Sequence, residues 1–186
     1  MIARIPSHDH AIELHRTFTP TGGSLDIYII RHSEAVELGT GGTSGDFDRP
    51  LTAAGRKHSQ RLATALPARG ARIERIFVSP LVRTQQTAEP MIAAWNLQGE
   101  QIVSCEELAP GGSNKDLADK LTSRPARAIA LVGHRPDLNE FAAWLIGGKK
   151  AQIAFSKGAV ALVRVDGHEV EKGSGELLWL LPPDWV

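Results

Sequence analysis

Short apolar runs that alternate with helical patterns constrain the fold of this 186-residue chain more than any other feature. Leu25–Ile30 is short, β-branched and aromatic, and Ala128–Val132 is continuously apolar, the pattern of a strand covered on both faces. Ile73–Ser79 and the shorter Ile102–Val103 indicate two further strands. Strands alternating with helices predict an α/β fold, a three-layer α/β/α sandwich with a mostly parallel central sheet.

Four helices are predicted between these strands from capping residues and apolar periodicity. Pro90 is expected to kink or break the second helix, because proline removes a backbone donor and clashes with the preceding turn. The chain should end in a hairpin, Ala159–Val165 and Glu176–Leu181, which adds antiparallel strands at one edge of the sheet. The four helices begin near Thr52, Thr84, Ser113 and Pro136.

The beginning of the chain differs in pattern from the rest. Residues 1–24 are polar, weakly patterned and rich in turn residues at their end. They predict an N-terminal arm, either flexible or packed on a partner subunit, ahead of one domain spanning residues 25–186. The single cysteine, Cys105, excludes an intramolecular disulfide. No apolar run approaches membrane-spanning length and no signal peptide is recognisable, so we expect a cytoplasmic protein. The sequence leaves its oligomeric state open.

The charge balance excludes several classes of partner. The chain has 21 Lys and Arg against 21 Asp and Glu, a formal net charge of zero. A nucleic-acid-binding surface needs a clustered excess of basic side chains, and membrane recruitment commonly uses a polybasic patch. We therefore expect neither a nucleic acid nor a membrane as partner.

Basic side chains follow three of the predicted strands at the point where each strand ends. These segments are Arg31-His32-Ser33, Ser79 to Arg83, and Gly133-His134-Arg135. In open α/β sheets, ligands bind beyond the carboxyl ends of the strands. Two arginines and two histidines brought together there would suit a phosphate dianion, since guanidinium groups match phosphate oxygens and remain charged. A single histidine beside a strand is usually structural, so the prediction depends on all three strand ends.

Other candidate features carry less weight. Gly39–Gly45 resembles a phosphate-binding loop but lacks the Lys-Ser/Thr that follows in a Walker motif, so a mobile loop near the site mouth is predicted. Ser79 is expected to orient its loop, because no nucleophile elbow surrounds it. His58 is predicted to be exposed on the first helix.

Four segments, in this order, resemble the histidine phosphatase (phosphoglycerate mutase-like) superfamily. The resemblance extends from about Leu25 to the C-terminus. The compact length and the Arg-Pro-Leu-Thr segment are similar to its short branch, the SixA-type phosphohistidine phosphatases. The four segments are Tyr28–Ser33, Arg49–Gly55, Val78–Thr87 and Val132–His134.

The resemblance implies a role for each matching residue. His32 is expected to be the nucleophile that becomes phosphohistidine, with Arg31, Arg83 and His134 around the phosphate. Ser33 stands where the family usually has glycine, and its hydroxyl is expected to donate to substrate.

The proton donor is expected among the acidic residues. The resemblance points to Glu107, although a solvated carboxylate is an equally open interpretation of the Glu106-Glu107 pair. Glu34 is a fallback, for which a surface charge is the simpler interpretation.

The function implied is that of a phosphatase that needs no metal or other cofactor and works through a phosphohistidine on His32. A phosphohistidine in another protein is the favoured substrate, because the short form lacks the insertions that cover small substrates in larger relatives. Two alternatives remain: a phosphatase of a small phosphorylated metabolite, and a non-catalytic phosphate-binding regulatory module.

Overall fold

The computed structural model describes residues 23–40, 45–148 and 151–185. Within these ranges, the strands are β1 (Ser24–Arg31), β2 (Arg75–Val78), β3 (Ile102–Ser104), β4 (Ala128–Gly133), β5 (Val160–Asp166) and β6 (Gly175–Leu181). The helices are α1 (Ala53–Ala68), α2 (Val82–Ala94), α3 (Asn114–Thr122) and α4 (Asp137–Leu145).

The strands form one sheet in the order β3-β2-β4-β1-β5-β6. The first four strands of this order run parallel, whereas β5 pairs antiparallel with both β1 and β6. The mostly parallel sheet with antiparallel pairing at one edge confirms the predicted fold class. β1 and β4 lie side by side in the interior of the sheet, so the loops that follow them emerge together at the same edge.

Alternate side chains of β1 belong to two separate hydrophobic clusters, one on each face of the sheet. Ile27 and Ile29 pack with the apolar faces of α3 and α4. Tyr28 and Ile30 pack with α1 and α2 on the other face. Because successive side chains of a strand point to opposite faces, this division gives the predicted three layers.

Capping residues place α1 and α3 where the sequence predicts them, whereas α2 begins at Val82, before the predicted Thr84, without a side-chain cap. The hydroxyl of Thr52 accepts a hydrogen bond from the Gly55 amide, and that of Ser113 accepts one from the Asp116 amide. Pro90 does not break α2, which continues to Ala94. The fully buried Ala88 and Met91, on either side of the proline, offset the lost backbone bond by their packing.

The terminal hairpin is present, but its connection is longer than a tight turn. The segment between Asp166 and Gly175 joins β5 to β6. Within the hairpin, the pairing of β5 with β6 shifts register between Leu162 and Val163. Residues 1–22 of the predicted N-terminal arm lie outside the described residues, and β1 begins at Ser24. The arm and its boundary stay predictions. Among the described helices, none is long and apolar enough to cross a membrane.

Candidate active site

The first part of the site lies at the end of β1. Arg31, the last residue of this strand, pairs in register with Gly133, the last residue of β4. The His32 amide then donates to the Gly133 carbonyl at 3.1 Å. This pairing brings His32 and His134 together, with 5.2 Å between their ring centroids.

The orientation of the His32 ring follows from one hydrogen bond. Its Nδ1 lies 2.7 Å from the backbone carbonyl of Ser33, which can only accept, so Nδ1 carries the proton and Nε2 is bare. Burial lowers the pKa of His32 to about 4, and the nearby charges of Arg83 and Arg31 act in the same direction. His32 is therefore a neutral imidazole at physiological pH, with Nε2 free to attack an electrophile.

His134 is buried beside it and is also neutral. Burial, followed by the charge of Arg83, lowers the pKa of His134 to about 3. Its Nε2 lies 2.9 Å from the Ser79 hydroxyl, while its Nδ1 is buried without a hydrogen-bond partner among the described residues. Ser79 thus orients an imidazole, a contact that the expected role in its own loop did not include.

Two arginines complete the cluster. Arg31 donates from Nη1 to the Phe155 carbonyl at 2.7 Å, and its Nε is buried without a partner in the described part of the chain. Arg83, in the first turn of α2, is only 4% exposed. Its two terminal nitrogens donate to the backbone carbonyl and the carboxylate of Asp46, at 2.7 and 2.9 Å. The positive end of the α2 dipole adds to the favourable potential for an anion.

Ser33 is completely buried between α1 and α2. Its amide donates to the Thr87 hydroxyl at 3.1 Å, and its hydroxyl lies 2.9 Å from that of Ser59. These contacts explain how serine is accommodated where the family usually has glycine. They also show a hydroxyl engaged with α1, so donation by Ser33 to substrate stays a prediction.

Gly55 allows α1 to approach the segment that follows β1. A Cβ atom at this position would overlap the backbone carbonyl of Glu34. The same carbonyl accepts a hydrogen bond from the Thr52 amide at 3.0 Å. Gly55 therefore lets α1 pack directly against the loop that follows His32.

The two candidates for the proton donor, Glu107 and Glu34, form hydrogen bonds with other side chains of the chain. Glu107 accepts from Lys120 Nζ at 2.6 Å and from the Cys105 thiol at 3.3 Å. Burial acts to raise the pKa of Glu107, but the hydrogen bond from Lys120 outweighs it, and the pKa lies below its usual value. The carboxylate of Glu34 accepts from the Thr52 hydroxyl at the start of α1. The proton-donor role of Glu107 stays a prediction.

Sequence reasoning missed two charged residues of the site. Asp46, which contacts Arg83, directly follows the Gly-rich segment, and only its position beside that loop hinted at a role. Lys157 lies close enough to His32 for its charge to lower the pKa of that ring. Residues 41–44 of the Gly-rich segment lie outside the described residues.

The cluster matches an anion better than a metal ion. Arg31 and His134 each bury an unpartnered nitrogen, and leaving a buried donor unpaired costs about 1–3 kcal/mol. Among the described residues, no group of three His, Cys, Asp or Glu side chains is arranged to hold a metal. A cleft of about 900 Å³ lies beside α4, with Arg135 and Ala154 in its walls, and none of Arg31, His32, Arg83 and His134 lines it.

Comparison with known proteins identifies the family. Residues 27–136 match the model of the histidine phosphatase superfamily (branch 1). The chain belongs to the histidine phosphatase superfamily. It is a SixA-like hydrolase of the histidine phosphatase type, acting on a phosphorylated substrate.

Two relatives and one solved structure show how far the likeness extends. An uncharacterised Picosynechococcus protein is 33% identical over 173 residues, covering 87% of this chain and 99% of that protein. The phosphohistidine phosphatase SixA of Escherichia coli is 29% identical over 162 residues, covering 86% and 94%. A structure of the protein histidine phosphatase SixA complexed with tungstate has a TM-score of 0.74 at 26% identity, covering 86% of this chain and 98% of that one.

Proposed function

We propose that this histidine phosphatase removes phosphate from protein phosphohistidine through a covalent phosphohistidine on His32. In the first step the lone pair of His32 Nε2 attacks phosphorus, and the bond from phosphorus to the leaving nitrogen breaks. With its other ring nitrogen already protonated, the leaving imidazole keeps that electron pair and departs as the neutral ring without needing a further proton. Water then attacks the phosphorylated His32, which releases inorganic phosphate and restores the neutral ring.

The surrounding side chains stabilise the charge that moves during this transfer. Arg31 and Arg83 would donate to the non-bridging oxygens of the phosphoryl group, and His134 would add a donor from Nδ1. With the Ser79 hydroxyl donating to Nε2 of His134, the ring carries its proton on Nδ1 without needing a positive charge. Removing one such contact is expected to lower kcat by roughly 10²–10³.

The observation that carries this proposal is the convergence of three basic side chains, Arg31, Arg83 and His134, around the bare imidazole nitrogen of His32. Two of them, Arg31 and His134, have unpartnered buried nitrogens that an anion would satisfy. Neutral His32 has its second nitrogen held by a carbonyl, as a nucleophile requires.

The ionisation state of the Glu107 carboxylate supports an imidazole as the leaving group. Its carboxylate is held ionised by Lys120, and an ionised carboxylate has no proton to give. A phosphorylated imidazole leaves more easily than an alkoxide, so a phosphohistidine substrate depends least on an acid at this position.

The similarity to SixA supports a protein as substrate, because the protein histidine phosphatase SixA shares this fold with a TM-score of 0.74 over 86% of this chain.

The role of His32 is tested with the His32→Ala variant and a generic aryl phosphate. Turnover should fall to background, because no other described side chain presents a bare nitrogen to the pocket, and wild-type turnover should persist in chelator. The matched control is His168→Ala, which removes an exposed histidine in the β5–β6 connection. Undiminished turnover by a folded His32→Ala protein would exclude His32 as the nucleophile.

The substrate class is tested by comparing phosphorylated histidine-containing carrier proteins with a panel of small phosphoester metabolites. We expect kcat/KM to be higher for the phosphoproteins than for every metabolite. The reverse order would replace the protein substrate with a metabolite. Binding of phosphate without turnover of any substrate would favour a binding module instead.

A further inference from the structure

One carboxylate, that of Asp46, lies directly on an arginine of the proposed phosphate pocket. Arg83 donates from Nη2 to Asp46 Oδ2 at 2.9 Å and from Nη1 to the Asp46 backbone carbonyl at 2.7 Å. Two contacts to one residue determine both the position and the plane of the guanidinium group. The Arg83 side chain is 5% exposed and that of Asp46 is 49% exposed, so the guanidinium group is withdrawn from water while the carboxylate is partly screened.

Asp46 is itself held in place from the opposite side. Arg49 donates from Nη1 to Asp46 Oδ1 at 2.7 Å and from Nε to the Val36 carbonyl at 2.7 Å. Val36 lies in the loop that follows His32, and its amide donates a hydrogen bond to the Pro50 carbonyl. A chain of contacts therefore runs from the His32 loop through Arg49 and Asp46 to Arg83.

The charge on Asp46 also reaches the centre of the site. Its carboxylate is close enough to His134 to act in favour of the protonated ring, against the effect of burial. Burial acts to raise the pKa of Asp46, but hydrogen bonds from Arg49 and Arg83 outweigh it and lower the pKa. Asp46 is thus a carboxylate ion at neutral pH, which suits an acceptor of arginine hydrogen bonds.

We propose that Asp46 is a positioning residue, which acts on the phosphoryl group only through Arg83. Its two contacts hold the guanidinium toward the cluster of His32 and His134, and Arg49 anchors it to the loop that carries His32. This inference rests on the proposed function of the pocket. It assigns Asp46 no proton transfer, because both carboxylate oxygens accept from arginine.

The test uses Asp46→Asn and Asp46→Ala, with tungstate as the probe of the oxyanion site and two aryl phosphates of different leaving-group pKa. Tungstate affinity should fall about 2–5-fold, because a half-exposed ion pair is lost while the backbone carbonyl of residue 46 still accepts from Arg83. The loss of kcat/KM should be of similar size and equal for both aryl phosphates. Glu37→Gln is the matched control, since it removes an exposed carboxylate from the neighbouring loop.

A second variant separates positioning from chemistry. Arg49→Gln should lower tungstate affinity in the same direction, and the double variant with Asp46→Asn should be no worse than Asp46→Asn alone. Additive losses, unchanged tungstate affinity or tighter tungstate binding would each overturn the proposal. A loss much larger for the poorer leaving group would make Asp46 a proton donor instead. If the Asp46 variants do not fold, Arg49→Gln alone decides, and unchanged tungstate affinity there refutes the proposal.

The two proposals fail in different ways. An inactive wild-type protein would remove the proposed function, while tungstate binding would still report on the role of Asp46. An active wild type with an unaffected Asp46→Asn variant would remove only the positioning role.

Discussion

Two neutral imidazoles, held in a pocket with two arginines, are the residues on which this site depends. Both rings have a pKa well below that of a free histidine, about 4 for His32 and about 3 for His134, because burial disfavours their charged forms. The unfolded chain binds protons at these rings near pH 6.5, and the folded chain does not. The same burial that keeps His32 reactive therefore makes the folded state sensitive to acid.

This difference predicts how stability changes with pH. Above pH 6.5 both rings are neutral in both states and contribute no pH dependence. As the pH falls from 6.5 to 5, the unfolded state gains protons and each ring should lower the free energy of unfolding by about 2 kcal/mol. Urea unfolding at several pH values measures this loss, which should end only near the folded-state pKa values.

The double variant His32→Gln, His134→Gln should show a flatter dependence of stability on pH. His168→Gln, which alters an exposed histidine, should keep the wild-type dependence. The same slope in all three proteins would mean that the site histidines are solvated and protonated as in the unfolded chain.

At the residue scale, sequence reasoning predicted the convergence of two arginines and two histidines and missed Asp46 and Lys157. Arg31 ends β1, and His32 and His134 directly follow β1 and β4, so their meeting could be predicted from the parallel sheet. Asp46 reaches Arg83 from a loop whose path no periodic pattern describes. Contacts between loop residues depend on tertiary packing, which local patterns do not encode.

At the scale of elements, α1 contacts the segment before β5 through a histidine expected to be exposed. His58 is instead 7% exposed, and its Nε2 donates to the Gly158 carbonyl at 2.9 Å. The prediction was wrong because β5 lies next to β1 in the sheet, which brings Gly158 against α1. The Gly158 amide in turn lies within hydrogen-bond distance of the Arg31 and His32 carbonyls, so this contact supports the nucleophile's backbone.

Gly158→Ala is expected to destabilise the protein by about 1–3 kcal/mol in a denaturant titration. Gly158 has a φ of +81°, and an added Cβ would overlap the His58 ring. Gly167→Ala is the control, with a φ of +82° and no atom within 4 Å of the added Cβ.

The cost of Gly158→Ala should exceed that of Gly167→Ala, and His58→Ala should relieve the difference. Equal costs for the two glycine substitutions would show that backbone strain, and not contact with His58, determines the effect.

For the molecule as a whole, the α/β/α architecture was predictable because each interior strand is a short apolar run between helical patterns. Helix starts were predictable at Thr52 and Ser113, where the side chains make the expected caps. The continuation of α2 through Pro90 was not, since it depends on the packing of Ala88 and Met91 in the folded core.

The position of β1 and β4 in the interior of the sheet affects how the protein loses its activity. Each of these strands is bonded on both sides, so its amide hydrogens exchange with solvent only when the sheet itself opens. His32 and His134 follow these two strands directly. Fraying of the edge strands β3 and β6 therefore leaves these two rings together, and they separate only when the cooperative core opens.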